Sequence, residues 1–447
     1  MEKVSAMDVD TTHLLRRAGF GATAAEATAA SAQGYSATVD QIIAGLFQPD
    51  TGANAVAPPV LGSPTSYFFA LRQAHRTGDT TTTKSVQRQL RSEHEALTNW
   101  WLATMVATSN PLREKLTFLL HGHFPTAISK VRFPSFMFGQ NQLFRAQGPG
   151  NFDTLTQAVA TDPAMLIWLD AASDKAADPN ENFARELMER FTMGIGTYSE
   201  ADVRAAAYCF TGWRLDIATG AFTVNEKNHS PVFQQVLGTS VNTGEQVIDL
   251  VTHSRASARY VPAAFWSHLA YPVTPSDPVV TDLSAGYAGD LDMTNLLRAI
   301  FEHPQFVSPM AMTGLVKQPC EYVVGALRAL SVPASDVVSS GRAIQATMAA
   351  MGQILFDPPS VGGWSQNAYW LSTSAALARW KFAQKVVAKA DLSAVADAPP
   401  SSRVEAVATL LSISQWSSTS VSALRSAAGD PAMLTALAMV SPEYVIN

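Results

Sequence analysis

Apolar residues recur at three- to four-residue spacing along most of the chain, which is the spacing of one face of an α-helix. In the segment 92–107, for example, Leu97, Trp101 and Met105 fall on one stripe. Asn110 followed by a proline then supplies a helix cap and a first-turn proline for the next helix. The same pattern predicts helices at 112–120, 153–160, 181–193, 199–210, 245–251, 255–269, 293–302, 318–330, 341–354 and 374–390.

The segment 213–238 departs from this helical spacing. Trp213 and Leu215 alternate with polar residues, and Gly220 then provides a turn. Alternation with a period of two indicates a β-strand, so we expect a short β-hairpin inserted among the helices.

The predicted fold class is therefore mainly α. We expect a compact, bundle-like, multi-helix unit over residues 1–447, with the β-hairpin near 213–238 and a helical C-terminal tail at 391–447. The segments 49–64 and 271–281 are rich in proline and small residues and are expected to be loops.

Composition narrows the classes of function. Of the 447 residues only 15% are charged, and 31 basic against 37 acidic residues give a net charge of −6. A chain with 47% hydrophobic residues and so few charges is not expected to be disordered. Because the pI is about 5.9 and no long stripe of lysine and arginine occurs, we expect no nucleic-acid partner.

The lengths of the apolar runs and the charges near the N terminus bear on where in the cell the protein is expected. No window reaches about 18 uncharged apolar residues, so no transmembrane helix is expected. Glu2, Asp8 and Asp10 interrupt the N-terminal apolar residues, so no secretory signal is expected and the chain as given is predicted to be cytoplasmic. Export stays open, because the sequence does not tell whether the N terminus is processed.

The first candidate site is the segment LLHGHFPT at 119–126. Gly122 and Pro125 suggest that the helix stops here, and on an extended segment His121 and His123 would face the same side as a metal-ligand pair. The alternative is that one histidine caps helix carbonyls while the other packs against the following phenylalanine.

The second candidate site is the acidic helix at 181–193. Glu181, Arg185 and Glu189 lie on one face, and Glu186 pairs with Arg190 on another. The plain interpretation is a set of surface salt bridges. The alternative is that a carboxylate near a buried apolar face takes part in acid–base or metal chemistry.

Further candidates are expected to bind a substrate. Trp213 and Arg214 follow a predicted helix end and could line a cleft by stacking or by contacting an anion, although core packing of Trp213 is an equal alternative. His229 lies in the hairpin and would reach a cleft only if the hairpin folds over the helices. Trp364 follows a rigid Pro-Pro-Ser-Val-Gly-Gly turn.

Nine segments, in intact order between residues 13 and 390, carry a resemblance to a known family. They are HLLRRAGFGAT at 13–23, PLREKLTFLLHGHF at 111–124, QNQLFR at 140–145, GNFDTL at 150–155, DPAMLIWLD at 162–170, PNENFARELMERFTMGIGTYSEADV at 179–203, FTGW at 210–213, KQPCEYVVGALRAL at 317–330 and MGQILFDPPSVGGW at 351–364. On these segments the chain resembles the large bacterial group called domain of unknown function 1800.

The resemblance implies a mainly helical fold without a settled activity. Members of the family are often genetically paired with an exported sulfatase-like family, which implies such a protein as a partner. One departure is Phe191, where members often carry histidine, and it weakens a metal site at that position.

The leading hypothesis is an enzyme with a histidine and carboxylate cleft, acting by hydrolytic or lyase-type chemistry on an oxygen-rich, sugar-like small molecule. In it a divalent metal is bound by His121, His123 and Glu189. The catalytic groups are Glu186, Glu189, His123 and Arg185, and the substrate-binding groups are Trp213, Arg214, His229, Glu181 and Trp364.

Two alternatives remain. A metal-free enzyme would use two glutamates as general acid and base. A non-catalytic binding or assembly protein would instead partner the exported sulfatase-like family.

Overall fold

The fold is described by a computed structural model that covers residues 2–3, 7–172 and 174–446. Helices account for 65% of the chain, and the strands form only small antiparallel pairs. The predicted fold class, mainly α with a short β insertion, is confirmed. None of the helices in the described ranges is both long and apolar enough to cross a membrane.

The first third of the chain is helical up to the first candidate site. Its α-helices are α1 (Val9–Ala18), α2 (Ala24–Gln33), α3 (Tyr35–Gly45), α4 (Thr51–Asn54), α5 (Pro64–Thr77), α6 (Thr80–Ala107) and α7 (Pro111–His123). The predicted helix at 92–107 is the C-terminal part of α6. The carboxylate of Asp79 caps the N terminus of this helix.

The middle of the chain carries the second candidate site. Its α-helices are α8 (Ile128–Val131), α9 (Pro134–Gln147), α10 (Phe152–Ala160), α11 (Pro163–Trp168), α12 (Glu181–Glu186), α13 (Glu200–Phe210), α14 (Gly244–Thr252), α15 (Ser257–Leu269), α16 (Pro278–Asp290), α17 (Met293–Glu302) and α18 (Pro309–Met312). A π-helix at Leu187–Thr192 continues α12, and a 3₁₀-helix spans Pro304–Val307.

The last third is also helical and packs against the rest. Its α-helices are α19 (Pro319–Ala329), α20 (Ala334–Ala350), α21 (Thr373–Val387), α22 (Ser393–Ala396), α23 (Arg403–Leu410), α24 (Ser418–Ser426), α25 (Pro431–Met439) and α26 (Pro442–Val445), with 3₁₀ turns at Asn367–Leu371 and Pro400–Ser402.

Three antiparallel strand pairs complete the fold. β2 (Trp213–Asp216) pairs with β3 (Ala221–Val224), and β4 (Gln234–Val236) pairs with β5 (Thr239–Val241). The single hairpin predicted at 213–238 is therefore two successive hairpins. β1 (Glu2–Lys3) pairs with β6 (Gln415–Trp416), which ties the C-terminal segment to the start of the chain.

Most of the large buried hydrophobic residues form two clusters. The first core contains side chains such as Leu14, Phe152, Leu187 and Trp266, and the second contains side chains such as Trp101, Phe118, Tyr322, Phe382 and Trp416. Residues 391–446 supply part of the second core, so this predicted tail is helical and packed.

Helix α7 contributes to both cores. Leu116 and Leu120 face the first core, whereas Phe118 faces the second. Two of its charged residues, Glu114 and Lys115, are consequently buried. The helix that carries the predicted histidines therefore lies between the two cores.

Two predicted loops contain helical residues. The segment 271–281 ends in the first turn of α16. Asp277 is the N-cap of this helix, and Pro278 occupies its first position. The segment 49–64 contains α4, whose N-cap is Asp50. Asn180 caps the N terminus of α12, and Ser199 caps that of α13.

Candidate functional site

Both predicted histidines belong to α7, which runs through Gly122 to His123. The expectation of an extended segment from Gly122 onward is therefore wrong. Residues two positions apart on an α-helix point about 200° apart, so the two imidazoles leave opposite sides of α7. A single glycine in the last turn did not end this helix.

His121 lies in an aromatic box. Its ring centroid is 5.6 Å from that of Trp101, 5.3 Å from Phe356 and 5.4 Å from Trp364. Nε2 is buried and has no hydrogen-bond partner among the described residues. Burial lowers the pKa of His121 to about 3, so the imidazole is neutral at physiological pH.

His123 caps a helix end. Its Nε2 lies 2.8 Å from the carbonyl oxygen of Phe191 and donates to it, which fixes the proton on that nitrogen. The ring also packs edge-on against Phe124, with centroids 4.8 Å apart. Burial lowers the pKa of His123 to about 4, against the opposing effect of the Phe191 carbonyl.

These contacts do not bring the predicted metal ligands together. His121 faces the aromatic box, His123 faces the Phe191 carbonyl, and Glu189 faces Tyr198. Among the described residues, the group of three ligand atoms that lie within 4.8 Å of one another is a different one, Asp153, Asp249 and His253. The residues of the predicted site do not fit one shared ion.

The π-helix at 187–192 shapes the second candidate site. Its wider turn is visible in the bond from the Met193 N–H to the Met188 carbonyl, 2.9 Å long. Two consecutive carbonyls at its end accept from side chains, Arg190 from the Tyr260 hydroxyl at 2.9 Å and Phe191 from His123. Such π-turns are rare and are frequent at functional sites.

Glu186 immediately precedes this π-helix. Its carboxyl group is half-buried, and Oε2 is enclosed without a hydrogen-bond partner among the described residues. Burial, followed by repulsion from Glu189, raises the pKa of Glu186, while Arg190 and Arg185 oppose the shift.

Glu189 has a different environment. Its Oε2 accepts from the Tyr198 hydroxyl at 3.2 Å, and its Oε1 lies 3.1 Å from the Arg190 guanidinium. Burial, followed by the Glu189 charge, raises the pKa of Tyr198 to about 12, so this hydroxyl remains a donor.

Glu189 also lines a groove of about 420 Å³, the volume of a small-molecule site. Its walls carry both polar groups and apolar side chains. The lining residues are Glu189, Arg190, Met193, Gly194, Ile195, Thr197, Ala256, Arg259, Tyr260, Pro275 and Ser276.

The other charged residues of this helix make surface contacts. Arg185 binds Glu200 through two nitrogens, each at 2.7 Å, and Glu181 at 3.0 Å. Arg185 therefore joins α12 to α13. The predicted groups Arg185, Glu181 and Glu186 all lie outside the groove lining.

The predicted substrate-binding residues of the hairpin are also outside the groove. Trp213 is only 2% exposed and packs against Phe210 in the first core. Arg214 is exposed on the hairpin. His229 Nδ1 bonds the Thr211 carbonyl at 2.8 Å and holds the hairpin against the end of α13.

Trp364 is a wall of the His121 box. It stacks on Phe118, with ring centroids 6.1 Å apart. The preceding Gly363 has φ +71°, and a Cβ there would lie 2.6 Å from the Gly122 carbonyl oxygen. The HGH and GGW segments thus meet backbone to backbone, which requires glycine at 363.

One buried group of charges was not predicted from the sequence. Lys115 of α7 forms an ion pair with Glu321 of α19, both inside the protein. His268 of α15 lies near this pair, and burial lowers its pKa to about 4. The available signal was charge within the apolar runs of REKLTFLL and KQPCEYVV, which indicates buried and paired groups.

The fold and these sites define a mainly helical protein with buried ionic groups between two apolar cores. A family model described as "Protein of unknown function (DUF1800)" matches residues 13–446, and the chain belongs to this family. The match confirms the resemblance and extends beyond residue 390 to the C-terminal segment. No curated protein and no solved structure matches the chain.

Proposed function

We propose that this protein is a metal-independent acid–base hydrolase that acts on an oxygen-rich small molecule in the groove beside Glu189. The observation that supports the proposal is the unlike environment of two neighbouring carboxyl groups. Glu186 is partly enclosed with one unpartnered oxygen, whereas Glu189 contacts a hydroxyl and a guanidinium.

Two carboxyl groups in unlike environments divide the roles of acid and base. The raised pKa of Glu186 favours its protonated form and makes it the proton donor. Glu189 accepts from the Tyr198 hydroxyl and pairs with the Arg190 guanidinium at the groove wall, and it takes the role of proton acceptor.

The walls of the groove suit a polyhydroxylated substrate. Arg259 and Arg190 offer guanidinium donors, and Thr197, Tyr260 and Ser276 offer hydroxyl groups. Met193, Ile195 and Pro275 add the apolar surface on which a sugar ring packs. This composition supports the sugar-like class of substrate.

Glu186 precedes Glu189 by three residues and lies outside the groove lining, so in the proposed reaction it gives its proton to the leaving oxygen through a bridging water molecule as the carbon–oxygen bond breaks. Glu189 takes a proton from a water molecule, whose hydroxyl forms the new bond to carbon. One water molecule is consumed, two hydroxyl-bearing products leave, and a proton passes from Glu189 back to Glu186 through solvent.

A panel of chromogenic glycosides and esters tests the proposal on the full chain. We expect E186Q and E189Q each to lower kcat/KM at least about a hundredfold, the scale of general acid–base catalysis. E245Q replaces an exposed glutamate outside the groove and serves as the matched control. Turnover that persists in both E186Q and E189Q would refute the assignment.

A second measurement needs no substrate. A carboxyl titration followed by NMR should find the pKa of Glu186 above its usual range and lower again in E189Q, because the neighbouring charge contributes to the shift. An unchanged Glu186 titration in E189Q would remove the coupling on which the proposal depends.

The other hypotheses stay predictions. The metal-dependent version gains no support from the separate surroundings of His121 and His123. A sulfatase-like partner and a cytoplasmic location also remain predictions. Capture of one stoichiometric partner, together with turnover that is insensitive to E186Q and E189Q, would favour an assembly role.

A further inference from the structure

The walls of the groove beside Glu189 carry more positive than negative charge. They include one carboxylate, that of Glu189, and two guanidinium groups, those of Arg190 and Arg259. Glu189 and Arg190 lie 3.1 Å apart and compensate each other. The contacts of Arg259 within the described residues are with uncharged groups. A molecule that enters the groove therefore meets one guanidinium whose charge no carboxylate balances.

Arg259 lies in the first turn of α15 and is bound along one edge of its guanidinium. Its Nη1 donates to the Pro275 carbonyl at 3.2 Å and lies 3.4 Å from the Thr281 hydroxyl. No bond within the described part of the chain uses Nε or Nη2. These two nitrogens form the opposite edge of the planar group, where their N–H bonds run side by side. The head group is thus oriented by one edge and offers the other as a pair of donors.

The free edge of Arg259 is accessible. The side chain lines the groove and is only partly buried. Neither Nε nor Nη2 is among the buried polar atoms without a partner, so both are in contact with solvent. A ligand in the groove can consequently replace water at these two donors without a rearrangement of the protein.

The nearest acidic residue along this part of the chain is engaged elsewhere. Asp277, which precedes α16, accepts from the Thr274 N–H at 2.6 Å and from its hydroxyl at 2.8 Å. It lies outside the groove lining, and no ion pair within the described residues joins it to Arg259. The free edge of Arg259 is therefore not reserved for a carboxylate of the protein itself.

Two helices begin at this end of the groove and add to its positive potential. Ala256 precedes α15, while Pro275 and Ser276 lie just before α16, and all three line the groove. The N-terminal end of a helix carries a partial positive charge. The first N–H groups of α15 are bonded to Ser254 and Ala256, so the helices contribute a field while Arg259 contributes the donors.

A carboxylate matches the free edge of Arg259 in shape and in charge. Its two oxygens are coplanar and spaced so that each accepts one N–H from the guanidinium edge. The hydroxyl groups of Thr197, Tyr260 and Ser276 and the neighbouring apolar side chains remain for a polyhydroxylated ring. A sugar acid combines these two features in one molecule, and a groove of about 420 Å³ has room for it.

We propose that the groove selects a sugar that bears a carboxylate, as a uronic acid does, and that Arg259 binds this carboxylate through Nε and Nη2. The inference rests on the proposed function, because it names the substrate class of the same groove. Arg259 determines specificity, whereas Glu186 and Glu189 transfer protons. The charge of Glu189 does not exclude an acidic ligand, since Arg190 compensates it.

Paired substrates test this selectivity on the full chain. Each 4-nitrophenyl uronide is compared with the neutral 4-nitrophenyl glycoside of the same ring, in which a hydroxymethyl group replaces the carboxylate. We expect kcat/KM to be at least about tenfold higher for the acidic member, because the neutral one lacks the bidentate pair between charged groups. This preference should shrink as sodium chloride is added, since salt screens charges that are in contact with solvent.

R259Q is the test variant, and its ratio of kcat/KM for acidic over neutral substrates should fall at least about tenfold. R259K keeps the charge without the planar edge and should retain part of the preference. R255Q replaces an exposed arginine in the preceding turn, outside the groove lining, and should keep the wild-type ratio. Thermal unfolding shows that each variant is folded.

Binding is measured separately from turnover, with free sugars that offer no bond to hydrolyse. Calorimetry compares galacturonate and glucuronate with their neutral counterparts galactose and glucose. We expect the wild type to bind an acidic sugar more tightly than its neutral counterpart. R259Q should bind the acidic sugar at least about tenfold more weakly, and R255Q should bind it as the wild type does.

The outcomes separate this inference from the proposed hydrolase. Uronate binding that depends on Arg259, without turnover of any glycoside, would support the carboxylate site and refute the hydrolase. Turnover that depends on Glu186 and Glu189 but is equal for acidic and neutral substrates, or a ratio unchanged in R259Q, would overturn the carboxylate site alone. Tighter binding of galactose 6-sulfate than of galacturonate would also overturn it, because the preferred anion would then be tetrahedral.

Discussion

At the residue scale, the two histidines of α7 show how burial decides the role of an ionisable group. Both imidazoles are neutral in the folded protein, because enclosure among aromatic rings disfavours their charged form. His121 adds no hydrogen bond within the described residues, while His123 donates to the Phe191 carbonyl. The first is a packing residue, and the second fixes the end of the π-helix.

This burial predicts acid sensitivity. His121 has a folded-state pKa of about 3 against an ordinary 6.5, so the neutral form favours the folded state above pH 6.5 and this stability is lost as pH falls toward 3. At about 1.4 kcal/mol per pKa unit, the loss between pH 6.5 and 4 is about 3 kcal/mol.

Denaturant unfolding at several pH values measures this loss. H121F should remove about 3 kcal/mol of the acid-dependent loss while keeping the aromatic packing. H75F, at an exposed position, is the matched control for replacing a histidine by phenylalanine. An unaltered slope in H121F would contradict the assignment of a buried neutral imidazole.

At the element scale, a backbone contact decides how closely the turn at Gly363 approaches the end of α7. Gly363 lies in the left-handed region with its Cα against the Gly122 carbonyl, and Trp364 then enters the box around His121. The π-helix at 187–192 is held in a similar way, by side chains that bind its last carbonyls.

Alanine substitutions at the adjacent Gly362 and Gly363 test how much the backbone contact at Gly363 contributes to stability. G363A should lower the free energy of unfolding by about 2–4 kcal/mol, because it adds a positive-φ strain and a clash with the Gly122 carbonyl oxygen. G362A should stay within about 1 kcal/mol of the wild type, since its Cβ would meet only Ser360 Oγ at 3.5 Å.

Urea unfolding followed by tryptophan fluorescence compares the two variants. Because Trp364 is adjacent, G363A should also alter the near-ultraviolet circular dichroism of the folded protein. Equal stabilities for the two variants would show that the backbone contact is not required.

At the scale of the whole molecule, α7 lies between the two apolar cores and carries their ionic link. Glu114 binds Arg145 at 2.6 and 2.8 Å and accepts from the Trp101 indole at 3.1 Å. Lys115 reaches Glu321, 206 residues away in the chain. Apolar packing alone would not fix the orientation of α7, whereas these directional contacts do.

Breaking this link should be costly. E321Q removes the charge that the structure pairs with the buried Lys115 ammonium and is expected to destabilise the protein by about 3–5 kcal/mol. The double variant K115M/E321L should recover much of that loss, because an apolar pair leaves no buried charge. E95Q, which breaks an exposed pair with Arg342, should produce no measurable change.

Chemical unfolding at neutral pH measures all three variants. If E321Q were as stable as E95Q, the Lys115–Glu321 pair would have to be exposed to solvent. If the double variant were no better than E321Q, the loss would come from packing around α19 and not from an uncompensated charge.

The sequence by itself determined the local structure. Apolar spacing and capping residues predicted eleven helical segments that the structure contains, although α1, α2, α3, α5 and α9 were not predicted. The caps at Asn180 and Ser199 are present because a side-chain oxygen binds N–H groups two or three residues ahead. The alternation at 213–217 likewise indicated a hairpin, since the period of two is local.

Only the tertiary structure decided how the candidate residues are used. The surroundings of His121, the burial of Trp213 and the Lys115–Glu321 pair each depend on residues far away in the chain, which no local spacing encodes. The acidic segment could be recognised as a candidate from sequence, but the π-turn and the unlike environments of Glu186 and Glu189 could not. Burial and partnering set the chemistry of a charged group, and both arise only when the helices pack.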